Sequence, residues 1–124
     1  MAIGILLLII VSVSISAVAQ VCLKLGMSGE MVVDAIKAGD IWQIAISTIQ
    51  SGWVLTGLFL YVVGAIIWLF VLARVDVSYA YPFVGIGFIF TMVLGKIFLG
   101  DQITAIRITG TLVVVVGLAM VARS

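Results

Sequence analysis

Ser12, Ser16, Gln20 and Lys24 recur every four residues through an apolar run. On an α-helix, at about 100° per residue, they fall within an arc of about 120° on one face. The opposite side carries Val11, Ile15, Val18 and Leu25, so one face suits lipid and the other suits protein or water. The seam offers hydroxyls and an amide, which both donate and accept hydrogen bonds, and ends on an ammonium, which acts on phosphate as a point charge. A second ammonium, Lys96, lies near the end of a later apolar run. In a chain of four spans the connections after the first and third lie on one side of the membrane, so Lys24 and Lys96 belong to the same face. Such a pair suits a lipid phosphate or another anionic headgroup. Lysines at helix ends also serve as anchors that snorkel to the interface.

The acidic residues are Glu30, Asp34, Asp40, Asp76 and Asp101, all outside the apolar runs, and the chain has no His. Proton-coupled export of cations usually needs a carboxylate within the membrane. There is no nucleophile–base pair, general base or metal-ligand cluster, so neither an enzyme nor a metal or cofactor site is expected. A net charge of +1 argues against a nucleic-acid partner. Cys22 is the only cysteine, which excludes an intrachain disulfide and makes it a small apolar-run residue.

The elements that must position this seam are membrane spans. The 124 residues are 65% hydrophobic and 9% charged, with mean hydropathy +1.48, against ~25% charged in soluble domains. Spanning the bilayer takes ~20 apolar residues, and four segments qualify, at roughly 2–23, 53–73, 79–99 and 104–122. The expected fold is therefore all-α and integral to the membrane, with residues 1–124 forming one four-helix domain. Ala17-Val18-Ala19 has the small-x-small form of a cleavage site, but no Lys or Arg precedes Lys24, so the first run reads as a retained helix. Between the first two spans, residues 28–51 mix Glu30, Asp34, Lys37 and Asp40 with Val32, Ile36, Trp42 and Ile46. This mixture suits short amphipathic helices at the membrane surface, with Trp42 at headgroup depth, or an ordinary wet loop.

In the second span, Trp53, Gly57, Tyr61, Gly64 and Trp68 gather within roughly 80°, large rings alternating with glycines that admit a neighbouring helix. The third opens Ser78-Tyr79-Ala80-Tyr81-Pro82. Pro82 has no N–H, so the Ser78 carbonyl loses its helical partner unless Pro82 stands in the first turn. Ser78, Gly85, Met92 and Lys96 fall within about 40° on a uniform helix, with Tyr81 beside them. Thr104 is placed to cap the fourth span, whose Gly110, Val114, Gly117 and Val121 form a small-residue stripe suited to another helix, including one from a second copy.

With the seam, the Tyr-Pro turn and the Gly100-Asp101 turn in view, the chain resembles the small-multidrug-resistance-like branch of the drug/metabolite transporter superfamily. Within it, the flippase subunits for 4-amino-4-deoxy-L-arabinose-phosphoundecaprenol are most similar. The resemblance rests on Ser16 to Lys24, on Ile67 to Leu72, and on Val77 to Pro82 continuing through Lys96 to Asp101. It implies a four-helix protomer in the bacterial inner membrane, paired as a homodimer or heterodimer with a similar subunit. Such a protein moves an undecaprenyl-phosphate-linked monosaccharide across the bilayer, a step that belongs to lipopolysaccharide modification. Gln20, Lys24, Tyr81, Pro82 and Lys96 match the family's motif positions and, with Ser16 of the seam, are the expected substrate-site residues, while the small-residue stripe makes Gly110 and Gly117 the expected helix- or dimer-packing positions. Ser16 stands where drug-exporting relatives hold an acidic residue, a departure from proton/drug antiport. The alternatives are an exporter of cations or metabolites, and a non-transporting partner of another membrane protein. Lys24, Lys37, Lys96 and Arg107 on one side against Arg74 and Arg123 on the other favour cytoplasmic first and third connections.

Overall fold

The computed structural model describes residues 3–124, and its regular structure there is entirely helical. In order come α1 (Ile3–Met27), α2 (Glu30–Ala38), α3 (Ile41–Gln50), α4 (Gly52–Leu72), α5 (Val77–Ala80), a 3₁₀ turn (Tyr81–Val84), α6 (Gly85–Leu99) and α7 (Ala105–Arg123). Four stretches are long and apolar enough to span a membrane: α1, α4, the run Val77–Leu99 and α7. Even the shortest, at 19 residues, reaches about 28 Å at 1.5 Å per residue, close to the ~30 Å hydrocarbon core. Ala2, the first residue of the expected first span, lies outside the described residues.

α1 and α4 run antiparallel and approach closely through glycines. A Cβ added at Gly57 would meet the Leu23 side chain at 2.8 Å and the Ala19 carbonyl at 3.0 Å, and one at Gly64 would meet Ser16 Oγ at 3.1 Å. Gly26 is filled in the same way by Val54 and Ser51. Beside Gly64 the buried Ser12 hydroxyl donates to the Gly64 carbonyl at 2.7 Å. Lipid tails are as apolar as Leu, so helices in a bilayer associate through close packing and interhelical hydrogen bonds rather than through the hydrophobic effect. The alternation of Gly57 and Gly64 with Tyr61 and Trp68 supplies that packing.

The turn after α4 sends the third span back parallel to α1, against which it packs on the other flank. Gly87 takes Val13 close to its backbone. At the end where α1 begins, Ile9, Val13, Val71, Ala80 and Phe83 form a buried apolar cluster, with Trp68, Tyr79 and Leu118 packed on it. α7 leans mainly on the third span: a Cβ at Gly85 would meet Val114 at 2.9 Å, and the Tyr79 hydroxyl donates to the Ala122 carbonyl at 3.3 Å. A third of the apolar window of α1 is buried, and none of that of α7.

Several expectations are refined. α1 continues past Lys24 to Met27, so Lys24 lies in its last turn rather than closing it. Residues 28–51 form two short helices, α2 ending on left-handed Gly39 (φ 70°) and α3 capped by Asp40, whose carboxylate accepts from the Trp42 and Gln43 amides. Thr104 caps α7 by accepting from the Arg107 amide at 3.1 Å. Pro82 falls beyond the first turn of the third span, and there the backbone tightens into the 3₁₀ turn. The Tyr81 amide still reaches the Val77 carbonyl, and the Gly85 amide turns to that of Pro82.

If the glycine contacts hold α1 to α4, Gly57→Ala will lower protomer stability by about 1–3 kcal/mol through overpacking. Gly4→Ala, where an added Cβ meets nothing within 4 Å, will leave it unchanged or raise it slightly through alanine's better helix propensity. Reversible unfolding in mixed micelles reads the difference.

Candidate functional site

Between α1, α4 and the third span lies a half-open cleft of about 600 Å³. From α1 it receives Ser12, Val13, Ser16, Ala17 and Gln20, the inner three-quarters of the seam. α4 adds Tyr61, Gly64, Ala65 and Trp68, while Tyr81, Val84, Gly87, Phe88 and Thr91 close the third wall. Its polar side-chain groups are five hydroxyls, at Ser12, Ser16, Thr91, Tyr61 and Tyr81, together with the Gln20 amide and the Trp68 indole. No charged side chain lines it among the described residues.

The hydroxyls do not all face the cavity freely. Ser12 is committed to the Gly64 carbonyl, and Thr91 donates back to the Gly87 carbonyl at 2.8 Å, in the manner of a hydroxyl on a helix. Ser12 therefore builds the wall. Gln20 and Tyr61 are exposed at the open end of the cleft, and the Tyr81 ring stands exposed on its far wall. Among the described residues, no buried side-chain nitrogen or oxygen lacks a hydrogen-bond partner. The polar lining thus carries no trapped, unsatisfied group, and its exposed members remain available to a visitor.

The cleft opens sideways between α4 and the third span, where Tyr61, Ala65, Tyr81 and Phe88 are exposed, and its lining also has two distinct ends. Towards the start of α1 it stops at the cluster of Ile9, Val71, Ala80 and Phe83; towards the other end it passes Gln20 and approaches Lys24. Val13 and Gly87 touch and so fix a common level for two parallel spans. Lys24 lies eleven residues past Val13 and Lys96 nine past Gly87, which is about 16 Å and about 14 Å of helix. The two ammonium groups therefore share a depth, just beyond the open end. Both are exposed. Neither borders the cleft, and nor does Pro82; of the six expected site residues the cleft itself collects Ser16, Gln20 and Tyr81. Lys24 stands one turn above Gln20 on the same face. Lys96 shares the stripe of Met92, on the α7 side of its helix.

The stripe expected for Ser78, Gly85, Met92 and Lys96, with Tyr81 beside it, divides. A 3₁₀ turn advances 120° per residue rather than about 100°, so Tyr81–Val84 shifts later residues by about 80° relative to a uniform helix. Tyr81 then joins Gly87 and Thr91 on the cleft, while Gly85 meets Val114 and the Thr111 hydroxyl lies 3.8 Å from the Met92 sulfur, both toward α7. Phe88 and Thr91 are not among the site residues the sequence suggests; Thr91 stands four residues after Gly87 and three after Phe88, a helical spacing that does not mark which face it serves. An added Cβ at Gly110 or Gly117 meets nothing within 4 Å, and Gly110 borders a second, more open cavity between the third span and α7.

Fold and cleft together define a four-span membrane protein built around a neutral, hydrogen-bonding cleft with positive charge at its open end. In sequence the chain is 29% identical over 79 residues to a probable 4-amino-4-deoxy-L-arabinose-phosphoundecaprenol flippase subunit ArnE of Pseudomonas fluorescens, covering 64% of this chain and 69% of that one. It is 28% identical over 87 residues to the subunit of the same name in Pseudomonas aeruginosa, covering 70% of this chain and 73% of the relative. No family model and no solved structure matches it. The chain is a distant relative of these flippase subunits and, with its four apolar spans, a multi-pass protein of the bacterial inner membrane.

The division of labour along the seam has a direct test. Ser12→Ala removes an interhelical hydrogen bond and will cost about 0.6–1.7 kcal/mol of stability. Gln20→Ala, at an exposed position, will stay within about 0.5 kcal/mol of the parent. Denaturant unfolding of the two purified variants separates a wall residue from a lining residue.

Proposed function

We propose that this chain is one subunit of a flippase that carries a polyprenyl-phosphate-linked monosaccharide across the inner membrane. The observation that carries the reading is the cleft of about 600 Å³, neutral and hydroxyl-lined, with Lys24 directly above its open end. A sugar crossing hydrocarbon must exchange hydrogen bonds with water for hydrogen bonds with protein, because each unmade one is costly there. Ser16, Gln20, Tyr61 and Tyr81 supply donors and acceptors for that exchange. The rings of Tyr61, Tyr81 and Trp68 give flat apolar faces against which a pyranose can lie.

Lys24 holds the phosphate as the sugar enters beneath it, and Lys96, at the same depth, adds to the positive potential of that mouth. The prenyl chain needs no binding surface because it stays in lipid, beside the exposed apolar sides of the spans. Pro82 acts indirectly, by setting the 3₁₀ turn that aims Tyr81 into the cleft. The relatives are named as probable subunits acting on 4-amino-4-deoxy-L-arabinose-phosphoundecaprenol, which supports a lipid-linked sugar and a second subunit. The exposed α7, with Gly110 and Gly117 bare, supports that helix as the seat of a similar partner. Export of a hydrophobic cation fits less well, because the lining offers such a substrate no carboxylate.

The test is reconstitution into liposomes with a fluorescent polyprenyl-phosphate sugar and a membrane-impermeant quencher, with and without a co-expressed similar subunit. Lys24→Met will slow flipping at least about tenfold, the effect of losing roughly 1.4 kcal/mol of charge-assisted phosphate contact. Lys96→Met, on the neighbouring stripe, will slow it less. Undiminished flipping by the double variant removes both assigned roles, and pH-gradient-driven efflux of lipophilic cations by the parent would favour the exporter instead.

A further inference from the structure

α2 and α3 have opposite amphipathic logic. On α2, Glu30, Asp34 and Lys37 share one exposed face, while Val32 and Ala35 on the other side are buried. α3 is inverted. Its inward face is Ile44, Ser47 and Thr48, with the Ser47 hydroxyl buried and bonded to the Gln43 carbonyl. Its outward face is Ile41, Trp42, Ala45, Ile46 and Ile49, an unbroken apolar sector of about 140°. Ile41 and Trp42 are each 76% exposed, and Ile49 is 65% exposed. Gln43 and Gln50 flank this sector on one side.

From these faces we infer that α3 is a half-inserted interfacial helix whose apolar sector lies in the acyl-chain boundary of one leaflet, the leaflet next to Lys24 and Lys96. The chain fixes its height. α3 ends at Gln50 and α4 begins at Gly52, with Ser51 serving as the last cap of one and the first cap of the other, its hydroxyl accepting from the Val54 amide. One residue of separation from a membrane span leaves α3 no freedom to rise into water. The Thr48 hydroxyl also lies 4.0 Å from the Met27 sulfur at the end of α1, so both neighbouring spans hold it at their rim. The exposed sector continues the lipid-facing surface of α4, with Trp53 54% exposed one turn further on. A helix with an apolar face, a polar flank and an aromatic at the boundary sits in the plane of the interface. The exposed charges Glu30, Asp34 and Lys37 on α2, which packs against α3, complete the arrangement by keeping the pair from sinking further. This inference concerns lipid contact alone and does not rest on the transport reading.

The experiment uses the full chain in proteoliposomes containing lipids brominated either near the headgroup or near the chain end. A variant with Trp42 as its sole tryptophan, made by Trp53→Phe and Trp68→Phe, will lose emission to both lipids, and more to the shallow bromines. Ile49→Cys, in the otherwise native chain and labelled with an environment-sensitive dye while the buried Cys22 stays unreactive, will show blue-shifted emission. The same dye at Asp34→Cys will report water. Trp42 and Ile49 probes that are quenched by aqueous acrylamide but not by bromolipids would overturn the inference, placing the sector in solvent. Probes shielded from both quenchers would overturn it as well, by showing that another protein covers the sector.

Discussion

The contact between α1 and α4 is the constraint on which the remainder of the molecule depends. Gly26, Gly57 and Gly64 bring two backbones so close that a methyl group at any of them meets a neighbouring atom at or inside contact distance. In water such a pair would be driven together by burial of apolar area, but in lipid that drive is absent and packing must come from atoms in direct contact. Large side chains at these positions would hold the helices apart. The Ser12 bond to Gly64 adds direction, fixing the rotation of α1 about its own axis. Once that rotation is fixed, every residue four positions further along the seam is aimed at the gap beside α4, and the cleft follows.

This explains why a single polar stripe does two kinds of work. Its deepest member, Ser12, is buried and spent on structure; Ser16 lies over Gly64 at the cavity wall; Gln20 is exposed in the cavity; Lys24 stands outside it. Polarity rises along the helix as burial falls, which is the order physics requires. A hydroxyl satisfied by a backbone carbonyl is tolerable in the dry interior, whereas an ammonium needs water or headgroups around it. The apolar cluster of Ile9, Val71 and Phe83 closes the dry end. Free hydrogen-bonding groups therefore thin out along the seam from Gln20 to Ser12 and end at that plug.

Much of this was legible in the residues alone, and the failures have physical causes. Four spans followed from hydropathy, because no other structure satisfies backbone groups in hydrocarbon over ~20 apolar residues. The seam was legible because α1 is one uninterrupted α-helix, so a period of four translates directly into a face. The third span was misread at Tyr81 because the wheel assumed a constant pitch, and Pro82 changes it through the Tyr81–Val84 turn. The proline was visible, but the size of the rotation it imposed was not. Counting residues from the Val13–Gly87 contact puts Lys96 and Lys24 at similar depths. Which way Lys96 points depends on the accumulated rotation, and there the reading lost its footing. α3 was recognised as amphipathic, yet the sense of its amphipathicity was hidden: a sequence shows that two faces differ, not which one the protein itself occupies.

α7 raises the last point of architecture. It touches the third span through Gly85–Val114, Thr111–Met92 and Tyr79–Ala122 and otherwise faces outward, with nothing in its apolar window buried. In a soluble protein such a helix would be unstable, but in a bilayer exposed Val and Leu cost nothing, so α7 needs no tertiary contact to persist as a span. Its composition is therefore free of the demands that shape α1 and α4, and the presence of Gly110 and Gly117 on it cannot be credited to packing within the chain. Glycine lowers intrinsic helicity relative to alanine by about 1 kcal/mol per residue. An added Cβ at either position meets nothing of this chain within 4 Å, so the exposed face of α7 offers two points where a neighbouring backbone would find no side chain in its way, away from the cleft walled by α1, α4 and the third span.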